Sequence, residues 1–165
     1  MLFRSSDGAI WELVLKNNIV GTRNVYECAK KHGIKKIIFA SSNHVTGGYG
    51  YPSWYINEDF SIAPDSNYGL SKAVGEVIAK YYHVMHGISS ICLRIGYVPE
   101  SNNPHDNPKY SAIWLSHRDL VQLFEKALES NIDFGIFHGV SDNKDNWLSI
   151  ELTKVELNYK PKDGI

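Results

Sequence analysis

Apolar and small residues recur at Ile10, Leu13, Val14, Val20, Gly21, Val25, Cys28 and Ala29, the spacing of one face of a helix. Gly33 is the natural stop for that helix. In IKKIIFASS, the run Ile37 to Ala40 is apolar without alternation, as expected of a strand covered on both faces. Residues 43–67 are rich in Gly, Tyr, Pro, Ser and Asn and show no helical period. Long irregular segments inside compact domains usually serve function. A second helix is predicted from about Tyr68 to His86, burying Leu70, Val74, Val77, Ile78, Tyr81 and Met85, with Gly87 ending it. SSICLRIG reads as the next buried strand, followed by a polar loop from Pro99 to about Pro108. A helix over roughly Arg118–Glu129 then leads into the strand-like FGIFHGV. The stretch after Asp145 has no assignable pattern. Alternation of helix and buried strand predicts an α/β fold with a mainly parallel sheet and right-handed crossovers.

Composition narrows the picture without changing it. A chain of 165 residues with 43% hydrophobic content has room for one domain with a core, spanning 1–165, and not for two ordinary ones. Lysine plus arginine (17) nearly balance aspartate plus glutamate (18), so no single-sign field draws the chain to nucleic acid or an anionic membrane. A small polar partner fits better. Cys28 and Cys92 each sit in an apolar stretch and read as reduced core thiols, which points to a cytoplasmic setting and to no metal site. No apolar run approaches the ~20 residues that span a bilayer, and MLFRSSDG lacks the apolar stretch of a signal peptide.

The candidate chemistry is Tyr68-Gly-Leu-Ser-Lys72. On a helix the i, i+4 spacing puts both side chains on one face. A phenol titrates near ~10, and a cation beside it favours the phenolate, turning it into a usable acid or base. Ten tyrosines and thirteen lysines predict about one chance match to this pattern, and Tyr26-Glu-Cys-Ala-Lys30 is a second one. Tyr26 lies in mid-helix and reads as structural. Tyr68 opens its helix after a long loop, and Ser41-Ser42 ends the preceding strand, where open α/β sheets place ligand groups. Ser42 can then hydrogen-bond a substrate oxygen while Tyr68 moves its proton.

These residues, with Asn18-Ile-Val-Gly21-Thr22, the strand IIFASS and Leu93-Arg94-Ile-Gly96, resemble the extended short-chain dehydrogenases/reductases, also called the NAD-dependent epimerase/dehydratase family. The resemblance runs from about Asn18 to Gly139 and implies the C-terminal part of a Rossmann-like, doubly wound parallel sheet. It implies Tyr68, Lys72 and Ser42 as catalytic, and Lys72, Asn18 and Val98 as contacts to NAD, with NADP also open. Within the family, Ser41-Ser42-Asn43-His44, Pro99-Glu100-x-Asn102-Asn103 and Trp114-x-Ser116-His117 are most similar to members that oxidise the anomeric carbon of a hexuronic acid. Ser42, Asn43, His44, Tyr97 and Lys109 would then face a sugar or sugar acid. Tyr97 stands where those members carry a small serine, and Lys109 where they carry an arginine, which keeps the charge but not the bidentate fork.

The glycine-rich turn by which the family holds the dinucleotide phosphates has no counterpart, since neither G-x-x-G-x-x-G nor G-x-G-x-x-G occurs. The expectation is therefore a partial dinucleotide site, inactive in these 165 residues alone, with one flank of the sheet covered by further chain or by a second copy in a homo-oligomer. A nucleotide-sugar epimerase, dehydratase or reductase, and a non-catalytic fragment that keeps the fold, are the alternatives.

Overall fold

The computed structural model describes residues 10–50 and 55–165. The first helical unit runs as α1 (Trp11–Val14), a π-helical stretch (Leu15–Val20) and α2 (Gly21–Lys31). Next come β1 (Lys36–Ser42), two short 3-10 turns, α3 (Asn67–His86) and β2 (Ser89–Ile95). A 3-10 helix (Pro108–Ile113), α4 (His117–Glu129), β3 (Phe134–Gly139) and α5 (Glu151–Glu156) complete the order. The strands form one parallel sheet in the order β1-β2-β3. Ser66 starts α3 by accepting a hydrogen bond from the Gly69 amide at 3.0 Å, and Gly87 ends it in the left-handed conformation, φ 65°.

Side chains alternate across each strand, so neighbouring positions report opposite faces. Cys92, Phe39 and Ile136 pack with α2 and α3 through Tyr26, Ala29, Ala79 and Tyr82. Ile91, Leu93 and Phe137 pack with Leu123 and Ala127 of α4. The two crossover helices therefore lie on opposite faces of the sheet. Both crossovers step the same way along β1-β2-β3, so helices on opposite faces require crossovers of opposite hand. The expectation that all are right-handed is corrected. The long connection from Gly96 to Ser116 carries the chain over the strand ends to the other face, a freedom that short connections lack. The tail without a sequence pattern is core: Trp147, Leu148, Ile150, Leu157 and Tyr159 are buried, and Tyr159 donates to the Val140 carbonyl at 3.1 Å.

Both helical faces differ from the sequence expectation. In the first unit the buried residues are Val14, Asn18, Thr22, Tyr26 and Ala29, whereas Val20, Val25 and Cys28 are exposed. The wide π-helical turn keeps these four-residue steps on one side. In α3 the inward positions are Gly69, Ser71, Lys72, Ala73, Gly75, Glu76, Ala79 and Tyr82. Small side chains there let the helix lie close on the sheet. Leu70, Val77, Tyr81 and Met85, expected inside, form an exposed apolar stripe with Val84.

Beneath the strand ends runs a buried polar row, Ser41, Arg94 and His138, aligned by register across the three strands. Arg94 forms a bidentate pair with Glu76 of α3, both contacts at 2.9 Å, and Ser41 donates to the same carboxylate at 2.6 Å. Tyr68, Lys72 and Glu76 follow at four-residue steps on α3, so this pair anchors the helix face that carries the candidate chemistry. Among the described residues no helix is long and apolar enough to cross a membrane.

Candidate active site

A cleft of about 390 Å³ opens at the C-terminal ends of β1 and β2. One wall is Ser42, Asn43, His44 and Tyr68, and the other is supplied by the β2–α4 connection, including Tyr97, Val98, Asn107 and Tyr110. The long connection that carries the chain to the other face of the sheet thus also forms a wall of the cleft.

Ser42 and Tyr68 line the cleft together. Burial pushes the Tyr68 phenol above its ordinary value, and the nearby Ser42 hydroxyl opposes that rise. Lys72 is buried, donates to the Ala40 carbonyl at 2.8 Å and is pushed down to about 8 by burial. Its Nζ stands 5.5 Å from the centre of the Tyr68 ring and 5.3 Å from that of Phe39. The pair is close enough to couple, yet the influences on the phenol here are burial and Ser42. The second matching tyrosine behaves differently. Tyr26 is 1% exposed, donates to Ser90 at 3.2 Å and is held well above its ordinary value by burial.

Asn18 sits in the π-helical stretch, buried, and its amide donates to Ser71 at 2.9 Å. Ser71 in turn donates to the Tyr68 carbonyl at 2.7 Å. Asn18 therefore reaches the site through Ser71, a residue the sequence reading missed because a serine inside Tyr-x-x-x-Lys has no distinguishing pattern. Asn43 is buried, and His44 packs edge-on against Tyr68 with ring centres 5.8 Å apart. Tyr97 lies 5.6 Å from Tyr110.

Lys109 is not brought to the cleft. It is exposed, with its ammonium 5.1 Å from the Tyr110 ring centre, while its neighbours Asn107 and Tyr110 line the wall. The loop's 3-10 winding turns every third residue, Asn107, Tyr110 and Ile113, inward and leaves Lys109 outside, which no motif in the sequence announces. Among the described residues no group of three His, Cys, Asp or Glu side chains is arranged to hold a metal.

Ser42, Tyr68 and Lys72 thus gather at the carboxyl ends of a parallel sheet, where open α/β folds bind their ligands. The family model for the NAD dependent epimerase/dehydratase family matches residues 9–130, and the chain belongs to this family. It is 38% identical to an NAD-dependent glucose-6-phosphate dehydrogenase of Haloferax volcanii, over 94% of this chain and 64% of that protein. It is 42% identical to a uronate dehydrogenase of Pseudomonas putida, over 93% of this chain and 56% of that protein. Among solved structures, a mutant uronate dehydrogenase from Agrobacterium tumefaciens complexed with NAD matches with TM-score 0.82 and 34% identity, over 94% of this chain and 57% of that one. The chain thus spans between about half and two thirds of the length of these relatives.

Proposed function

We propose that the protein is an NAD-dependent dehydrogenase oxidising a free sugar or sugar acid at its anomeric carbon, in the manner of the uronate dehydrogenases it resembles. The observation that carries the reading is the placement of Ser42 and Tyr68 in one cleft with Lys72 buried behind them, the cleft being edged by Asn43, His44 and Asn107. Amide and imidazole groups offer both donors and acceptors, which suits sugar hydroxyls. Ser42 holds the reacting hydroxyl, Tyr68 takes its proton, and Lys72 holds positive charge next to the phenol.

The residues present fit the nicotinamide end of the cofactor: a buried cation in Lys72, a polar anchor in Asn18 and an apolar contact in Val98. NAD, when bound, supplies the acceptor for the hydride that leaves the sugar carbon. NADP would meet the same residues, since the two cofactors differ far from this end. The two unpaired cysteines fit a reducing, cytoplasmic setting, and the exposed apolar stripe of α3 fits association with a second copy.

The test supplies the whole protein with NAD and, separately, a hexuronic acid, a hexose 6-phosphate and a neutral hexose, and follows NADH absorbance. Reduction with a free sugar, strongest for the acid, is the expected result. Turnover of nucleotide-linked sugars alone would replace this reading with an epimerase or dehydratase.

A further inference from the structure

His44 reaches the cleft from the turn after β1, and its other side is held. Nδ1 lies 2.8 Å and 3.0 Å from the two carboxylate oxygens of Asp65, and Asp65 also accepts from Ser66 at 2.9 Å. Ser66 caps the helix that carries Tyr68, so Asp65 joins the two sides of the site. The segments around them are zipped by backbone bonds, Ala63 amide to Val45 carbonyl at 2.9 Å and Gly48 amide to Ala63 carbonyl at 2.7 Å. A Cβ at Gly69 would stand 2.3 Å from the His44 carbonyl oxygen, and one at Gly47 would stand 2.1 Å from Asp65 Oδ2. Glycine at 47 and 69 permits an approach that any side chain would block.

A carboxylate only accepts, so the Nδ1 facing Asp65 must carry the proton. A neutral imidazole protonated at Nδ1 presents Nε2 as an acceptor. No hydrogen bond to Nε2 occurs among the described residues, and the ring lines the cleft beside Tyr68. We propose that Asp65 is a positioning residue that holds His44 in the Nδ1–H tautomer, making Nε2 the acceptor for a sugar hydroxyl next to the reacting carbon. The ligand in this statement rests on the sugar-dehydrogenase reading, whereas the tautomer is a property of the folded chain alone.

The experiment has two arms. In the first, the chain is labelled with 15N-histidine and the ring nitrogens are read by two-bond proton correlations at a pH where the ring is neutral. Protonation at Nδ1 is expected, lost in Asp65→Ala and kept in Asp65→Asn, whose amide oxygen still accepts. An Nε2–H ring in the unaltered chain, or a tautomer that ignores Asp65→Ala, overturns the proposal. In the second, the whole protein is assayed with its sugar. Asp65→Ala should raise KM roughly tenfold, the worth of about one hydrogen bond, with a smaller change in kcat, and Asp65→Asn should recover most of it. In a His44→Ala background Asp65→Ala should add nothing further. An unchanged KM in Asp65→Ala overturns the role in sugar binding. Failure to turn over any free sugar, with the tautomer confirmed, instead removes the dehydrogenase reading and with it the sugar ligand.

Discussion

Ser42 at the end of β1 and Tyr68 at the start of α3 line the same cleft, although 26 positions of chain separate them. Replacing Tyr68 with Phe keeps the ring and removes the proton carrier. In the whole protein kcat should fall by roughly 10²–10⁴, the usual worth of a general acid or base. Tyr26→Phe should leave kcat unchanged and cost about 1 kcal/mol of stability through the lost bond to Ser90. Equal kinetic losses in the two variants would show that the site has been placed at the wrong tyrosine.

Lys109 is exposed and outside the cleft lining. Lys109→Ala should therefore change KM for a hexuronic acid by less than about twofold, a small fraction of what losing a direct charge-assisted contact costs. A large rise in KM for the acid but not for the neutral hexose would show that the loop closes over substrate and brings the ammonium inward.

The Arg94–Glu76 pair is 2% exposed on both sides, so removing one partner strands a charge. Arg94→Met should destabilise by about 3–5 kcal/mol in urea unfolding, and Glu76→Gln in the same chain should return part of that loss. Additive losses in the double variant would mean that the two groups are not coupled.

His138 is fully buried, and burial, followed by the charge of Arg94, pushes its imidazole down to about 3 from 6.5. The unfolded chain therefore takes up this proton between about 6.5 and 3 while the folded chain does not. The stabilisation is complete above pH 6.5 and is lost as pH falls through that window, by a few kcal/mol in order of magnitude. Glu58, 3.6 Å away and pushed up by burial, works in the opposite sense and shallows the slope. Melting temperatures measured from pH 7.5 to 4 should fall less steeply in His138→Gln, which has no such proton. Parallel slopes would assign the acid sensitivity elsewhere.

Val77, Tyr81, Val84 and Met85 are between 53% and 64% exposed along one side of α3, a contiguous apolar surface of the kind that marks an interface. Light scattering after size exclusion should report a dimer that Val77→Asp with Tyr81→Asp converts to monomer. A monomer in the unaltered chain at high concentration would show that the stripe does not join copies of it.

The alternation of helical and buried-strand patterns by itself determined the α/β class, the order of the three strands with the helices between them, and the end of α3. Those signals are local: a period of 3.6 or an unbroken apolar run, closed by a residue such as Gly87. The different settings of Tyr68 and Tyr26 were also legible, because a tyrosine opening a helix after a long loop differs from one in mid-helix. The side of each helix that turns inward was decided only in three dimensions. Apolar periodicity marks a stripe that avoids water without saying what covers it, and here close packing drew the small residues of α3 onto the sheet and left Val77 and Tyr81 outside. The opposite hands of the two crossovers, the alignment of Ser41, Arg94 and His138, and the contact of Asp65 with His44 arise between segments far apart in the chain. Their partners are fixed by sheet register and by close approach at Gly47 and Gly69, which no local pattern encodes.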